Sequence, residues 1–183
     1  MITLEKLTVR FEDKTVFDNK TFSLPDDGIV LLTGESGIGK TTLLRVICGL
    51  LKPDAGTVKG IDGRKISFAF QEPRLLGHLT ALENVSLVSD RSTALRLLTA
   101  LNMEQERNEL CDHLSGGQKQ RVSLARAFAF SDDIVLLDEP FTGLDEENRK
   151  RAADLIKTAR LAIVVTHDPS DAELLHTNTK ILL

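Results

Sequence analysis

The continuous apolar run from Ile29 to Leu32 leads almost directly into GESGIGKT, Gly34 to Thr41. This pairing constrains the fold more than any other feature of the chain. A short uninterrupted apolar run suits a strand buried on both faces, the habit of parallel sheets. The loop after it fits G-x-x-x-x-G-K-[ST] with no departure. Its glycines let successive N–H groups turn inward, and the helix it opens aims its positive end at the same point. That helix is predicted from about Lys40 to Leu51, stopped by Pro53. The candidates for holding phosphates are Gly34, Glu35, Ser36, Gly37, Ile38, Gly39, Lys40, Thr41 and Thr42. Lys40 is expected to reach the β- and γ-phosphates, and the Thr41 hydroxyl to bind Mg²⁺. A plain glycine turn is the bland alternative, but a buried strand before and a helix after are what the phosphate-binding mechanism requires.

The rest of the chain is compatible with that start. Ile2 to Arg10 alternates apolar and polar residues, and a second extended stretch, about Thr15 to Leu24, ends at the turn Pro25-Asp26-Asp27-Gly28. These predict an N-terminal antiparallel β part. Further strands are predicted at Lys65 to Phe70, Ile134 to Leu137, Ala162 to Val165 and the terminal KILL. Helices are predicted from Gly116 to about Phe130 and from Asp145 to about Arg160, with a short one before the end. Between Gln71 and Leu114 leucines fall at helical spacing, as in TALRLLTALNM. The expected class is therefore α/β: a P-loop NTPase core with a largely parallel sheet, an N-terminal antiparallel β part and a helical subdomain insertion. The chain, residues 1–183, is read as a single domain, with the helical insertion at about 72–130.

Two further motifs carry chemistry. IVLLDEP, Ile134 to Pro140, ends an apolar strand in Asp138 at the carboxyl edge of the sheet, where a nucleotide would lie. Asp138 is the candidate metal ligand, through water, and Glu139 the candidate general base, a role that typically contributes about 10²–10⁴-fold. LSGGQ, Leu114 to Gln118, is a capping box, with Ser115 and Gln118 satisfying free N–H groups at a helix start. Capping does not require the two glycines between them, and glycine there weakens a helix. Their presence points to something approaching the backbone closely there.

With LSGGQ lying between the two nucleotide motifs, the sequence resembles the ATPase domain of the ATP-binding-cassette (ABC) family over nearly its whole length. The resemblance implies ATP and Mg²⁺ as cofactors and assigns further residues. Gln71 matches the family's Q-loop glutamine, placed near the metal and the reaction. Phe141-Thr-Gly-Leu-Asp145 matches the D-loop, and His167 the switch histidine that contacts the γ-phosphate and orients Glu139. Phe11 matches the aromatic that stacks on adenine, where the family more often has Tyr. The catalytic set so implied is Glu139, His167, Lys40 and Gln71, and the metal set Thr41, Gln71 and Asp138. In this family two domains pair head to tail, each ATP lying between the glycine loop of one and LSGGQ of the other. Ser115, Gly116, Gly117 and Gln118 would thus serve the partner's ATP, which explains why that loop has no lysine.

The resemblance also implies partners: a second ABC ATPase domain and integral membrane transporter subunits, with the chain cytoplasmic and peripheral on the inner face of the membrane. FQEPRLLGHLTALENV, Phe70 to Val85, resembles importer-type subunits, including those for nitrate, sulfonate and related small solutes. Gly77-His78 stands where many of those have Pro-Trp. Composition narrows the alternatives. A net charge of -4 and no dense basic run argue against a nucleic-acid partner, and no apolar run is long enough to span a bilayer. The N-terminus does not read as a signal peptide. A soluble ABC mechanoenzyme of DNA repair or translation would bring coiled-coil insertions, zinc modules or a second cassette, none of which is visible. A catalytically dead module would be expected to lose Lys40, Glu139 or His167, and all three are present. Cys48, in VICGLL, is expected to be a small buried core residue, and His78, His113 and His176 show no metal spacing.

Overall fold

A computed structural model describes residues 1–12 and 14–183. Two sheets organise it. Strands β1 (Ile2–Phe11), β2 (Lys14–Leu24) and β4 (Ala55–Lys59) form an antiparallel sheet in the order β2-β1-β4. Strands β3 (Gly28–Thr33), β5 (Ile66–Ala69), β6 (Ile134–Asp138), β7 (Leu161–Val165) and β8 (Lys180–Leu182) form a parallel sheet in the order β5-β6-β7-β3-β8. Register aligns Leu32, Val165 and Asp138 in one row across β3, β7 and β6. The chain therefore leaves all three strands at the same edge.

The central strands are buried on both faces because their side chains alternate between two apolar cores. Val30, Leu32, Ile134, Leu136, Ile163 and Val165 face one core, shared with α1 (Lys40–Ile47) and the antiparallel sheet. Leu31, Val135, Leu137, Ala162 and Val164 face the other, shared with α2 (Ala81–Ser86), α3 (Arg91–Ala100), α4 (Gly116–Phe130) and α5 (Glu146–Ile156). Full burial of each large aliphatic side chain contributes roughly 1.5–3 kcal/mol. Continuous apolarity in the sequence is thus the demand of a strand shared between two cores. A short helix, α6 (Asp171–Leu174), precedes β8.

Several boundaries differ from the sequence reading. Helix α1 ends at Ile47, four residues early, where Gly49 takes φ 75° and Leu50 is 62 % exposed. Cys48 sits beyond that end and is half-buried, packing only at the margin of the core; Cys111 is the buried cysteine. Helix α5 stops at Ile156 rather than near Arg160. Strand β4 has no counterpart in the sequence reading, because only Val58 of its five residues is even partly buried. An edge strand of that kind leaves no alternating apolar pattern to find.

The helical part lies entirely on the second core. Buried Leu97, Leu98, Leu101 and Met103 account for the helical leucine spacing. Helix α2 begins in a capping box of Thr80 and Glu83, and α3 in a cap by Asp90. The extended segments on either side of these helices are fastened to each other. Ala81 N–H donates to the Glu109 carbonyl, Leu82 to Arg107, Cys111 to Leu79 and Asp112 to Gly77. At the centre lies Asn84, fully buried. Its carbonyl oxygen accepts from Leu76 N–H at 2.9 Å, and its amide nitrogen donates to the carbonyls of Leu76, Leu79 and Thr80 and faces Cys111 Sγ at 3.1 Å. Removing it strands several buried backbone groups. Asn84→Ala is expected to destabilise the protein by about 1–3 kcal/mol, read from urea unfolding, while a conserved midpoint would show that water replaces those bonds without cost.

Candidate active site

The edge where β3, β7 and β6 end opens into a cleft of about 340 Å³. Its floor is the glycine loop. Gly39 takes φ 115° just before α1, and a Cβ there would come to 2.5 Å of Val16 Cγ1 and 2.9 Å of the Phe17 ring, so only glycine fits both the backbone and the space. Lys40 is 5 % exposed, and its ammonium donates to the Gly34 carbonyl at 2.8 Å and the Glu35 carbonyl at 2.9 Å. The loop is therefore wrapped around its own lysine. The first turn of α1 contains no acidic side chain, which leaves its N–H groups and positive end free for an anion.

Beside the loop, the Thr41 hydroxyl donates to Asp138 Oδ2 at 2.7 Å. Asp138 is buried at the end of β6, and that burial pushes its carboxyl above its ordinary range, with the Thr41 bond and nearby Arg45 and Lys40 opposing the effect. A buried carboxylate, a hydroxyl and the exposed Gln71 on the same wall are hard oxygen donors, the kind Mg²⁺ takes. A dication would also offset the desolvation that Asp138 carries. The residues fit the ion.

Glu139 follows in the left-handed region, at φ 53°, an uncommon conformation for a residue with a side chain. Its N–H is held by the Val165 carbonyl at 3.0 Å. This kink turns the carboxylate away from Asp138's row and over the cleft. Oε1 is buried and makes no hydrogen bond, although His167 Nε2 stands 3.2 Å away. Burial pushes the Glu139 carboxyl up, and the neighbouring His167 pulls it down. A raised carboxyl with one buried oxygen unpartnered, set in a cleft, is the profile of a general base.

Of the residues singled out in the sequence, Phe11, Ser36, Gly37, Gly39, Lys40, Thr41, Thr42, Gln71, Asp138, Glu139 and His167 all line this one cleft. Gly34, Glu35 and Ile38 belong to the loop but not to the cleft wall. Phe11 is 45 % exposed at the cleft rim. Three lining residues are not among the site residues read from the sequence: Lys14, Val16 and Val165, the last known there only as the end of a strand. The Lys14 ammonium donates to the Gly37 carbonyl at 3.1 Å. A charged residue at a strand start carries no signal that it will lean over a loop 23 positions away.

Ser115, Gly116, Gly117 and Gln118 lie outside the cleft. The capping box is complete: Gln118 N–H donates to Ser115 Oγ at 3.3 Å and Ser115 N–H to Gln118 Oε1 at 2.8 Å. The two glycines prove to have different reasons. A Cβ at Gly117 would fall 2.5 Å from the Gly143 carbonyl oxygen, so the close approach there is made by this chain's own backbone. Gly116 meets nothing within 4 Å and faces open space. The remaining charges also resolve. Asp145 caps α5, accepting from Asn148 N–H at 2.8 Å. Arg121 is buried and donates to the carbonyls of Leu101 and Asn102 and to Asn148 Oδ1, a scaffold role, while the Arg74 guanidinium lies 4.3 Å over the Phe70 ring.

Known proteins resemble this chain over most of its length. The family model described as "ABC transporter" matches residues 17–142. The aliphatic sulfonates import ATP-binding protein SsuB of Zymomonas mobilis is 41 % identical over 185 residues, covering 93 % of this chain and 77 % of that protein. The ergothioneine transport ATP-binding protein EgtV of Helicobacter pylori is 34 % identical, covering 98 % and 95 %. Among solved structures, the post-hydrolysis dimer of the ATP-binding cassette MJ0796 bound to ADP and Pi superposes with TM-score 0.87 at 29 % identity, covering all of this chain and 94 % of that one.

The raised carboxyl of Glu139 has a consequence for stability. A carboxyl whose folded value lies above its unfolded one binds its proton more tightly when folded, so its contribution to stability falls as pH rises through the interval between the two. Glu139→Gln removes that loss. In nucleotide-free protein with a chelator, the variant's melting temperature is expected to exceed the wild type's by a margin that grows from pH 4 upward. A margin independent of pH would show that the carboxylate carries no burial penalty.

Proposed function

The chain belongs to the ABC transporter family, and on that premise we propose that it is the ATP-hydrolysing subunit of an importer that works through separate membrane-spanning subunits. ATP-binding subunits of this family are ATPases in general. The observation that carries the reading is the meeting, in one cleft, of a wrapped phosphate lysine, a buried carboxylate bonded to a hydroxyl, and the unsatisfied Glu139 beside His167. Each group supplies a different requirement of phosphoryl transfer to water.

Phosphates of ATP would take the place of the Gly34 and Glu35 carbonyls as partners of Lys40, with the loop N–H groups and the α1 terminus around them. Thr41, Asp138 and Gln71 would hold Mg²⁺, which neutralises charge on the phosphates. Phe11, at the rim, would stack on adenine. Glu139 takes the proton of the attacking water as its oxygen bonds to the γ-phosphorus, and the bond from that phosphorus to the bridging oxygen breaks to release ADP. His167 orients Glu139 and meets the γ-phosphate. Ser115 to Gln118 face the ATP of a second cassette: the open side of Gly116 and the free N–H groups of α4 suit an anion brought from outside. Dimer closure follows ATP binding, and release follows hydrolysis.

The helical subdomain at about 72–130 and the segment after Gln71 are the docking region for membrane subunits. Among the described residues no helix is long and apolar enough to cross a membrane. Held by the membrane subunits, the chain would be peripheral, at the cytoplasmic face. The relatives' names concern import of aliphatic sulfonates and transport of ergothioneine. A small solute is accordingly the cargo class to test, recognised by the membrane subunit rather than by this chain.

Two experiments test this reading. Glu139→Gln is expected to keep ATP affinity, lose at least about 10²-fold in turnover, and accumulate as an ATP-bound dimer by light scattering. Turnover near wild type would remove Glu139 from the base role. Tagged protein recovered from gently solubilised membranes is expected to bring down a multi-span membrane protein, and recovery of soluble partners alone, from active enzyme, would overturn the transporter assignment.

A further inference from the structure

His167 is exposed over half of its side chain, and among the described residues its ring has no anchor except the unaligned approach to Glu139. Something else must fix where it stands. The residues on both sides of it are held by one network. Thr166 is buried at the end of β7, and its hydroxyl donates to Asp171 Oδ2 in a short hydrogen bond while accepting from Asp168 N–H at 3.1 Å. Asp168 accepts from Ser170 through Oδ1, at 2.9 Å from the N–H and 2.7 Å from the hydroxyl. The remaining oxygens of both carboxylates converge on one guanidinium. Arg149 Nη2 donates to Asp168 Oδ2 at 2.9 Å and to Asp171 Oδ1 at 2.6 Å, with Ser170 Oγ at 3.3 Å.

Arg149 is placed to join this turn to the other side of the site. It lies in the first turn of α5, the helix that Asp145 caps, and its N–H donates to the Asp145 carbonyl at 2.9 Å. Its guanidinium carbon is 5.7 Å from the centroid of the Phe141 ring, two residues beyond Glu139. One side chain therefore contacts the turn that carries the histidine and the segment that carries the carboxylate. Two of its partners differ in kind: Asp171 is almost fully buried, so its pairing is little screened, whereas Asp168 is partly exposed. Charge-assisted hydrogen bonds of this type are shorter and stronger than neutral ones, and here one nitrogen, Nη2, ties two carboxylates together.

We infer that Arg149 is a positioning residue that sets the separation of His167 and Glu139 by clamping Asp168 and Asp171 against the start of α5. The inference rests on the proposed roles of Glu139 and His167. Arg149 touches neither the cleft nor any reacting atom; it acts through the turn from Thr166 to Asp171. Its substitution should leave nucleotide affinity in place and slow the chemical step, and the cost should vanish once the histidine is gone.

The test is a double-mutant cycle on the full chain, with Arg149→Lys and Arg149→Ala made alone and with His167→Ala. Because Arg149→Ala leaves the buried Asp171 carboxylate unpaired, Arg149→Ala/Asp171→Asn is carried as the variant that keeps the fold. Affinity is read by titration with a fluorescent ATP analogue, turnover by phosphate release, and the histidine itself by imidazole NMR signals. The expected result is affinity within about twofold, turnover about tenfold lower or more in the alanine variants, partial rescue in Arg149→Lys, and under about twofold further loss on the His167→Ala background. The His167 imidazole signal should move while those of His78 and His113 stay. Unchanged turnover in the Arg149 variants, or an equal loss with and without His167 and an unmoved signal, overturns the inference alone. Wild-type turnover in His167→Ala by itself overturns the catalytic reading of the histidine and removes the basis of this one with it.

Discussion

The 2.7 Å hydrogen bond from Thr41 to Asp138 joins two parts of the chain that are 97 residues apart, and the rest of the site depends on it. It ties the helix that follows β3 to the end of β6. Between those strands lies β7, so the bond spans the strand that leads to His167. Three chain segments are thereby held at one edge: the glycine loop, the Asp138-Glu139 kink and the histidine turn. The buried carboxylate would be costly left alone. Its hydroxyl partner satisfies one oxygen, and a metal ion on the other side would meet the remaining demand.

A parallel sheet buried on both faces makes that arrangement rigid. Leu32, Val165 and Asp138 share a row, and the side chains before them alternate into two separate cores. Shifting any one strand by a residue would exchange its two faces, moving apolar groups between cores packed against different partners. The positions of Lys40, Asp138 and His167 are thus consequences of packing far from the cleft. At Glu139 this edge turns through a left-handed residue that carries a side chain, and it is there that the unpaired carboxylate oxygen stands.

Much of this was legible in the sequence because each part left a local pattern. Uninterrupted apolar runs located β3, β6 and β7; the glycine spacing located the phosphate loop; Ser115 and Gln118 located the start of α4. What was not legible lacks such a pattern. Strand β4 is an edge strand with almost no buried side chain, and Lys14 reaches the cleft only through a tertiary contact. Cys48 was misplaced because apolar neighbours do not reveal that the helix has already ended at Ile47. His167 required the family resemblance, since a single histidine after a strand has no distinguishing neighbour in sequence; the network around it becomes visible only in three dimensions. The two glycines of LSGGQ show the same limit. Their shared anomaly was detectable, but Gly117 answers to Gly143 of this chain and Gly116 to open space.

That last contact has a wider consequence. Gly117 opens the helix that would face a partner's ATP, and Gly143 belongs to the segment between Glu139 and α5, which belongs to this chain's own site. Backbone meets backbone there, with the Leu144 side chain alongside. Under the proposed pairing, a tilt of α4 toward a partner would press directly on residues 141–145. Were two cassettes to pair as proposed, each would meet its partner's nucleotide as movement at the edge that carries its own Glu139.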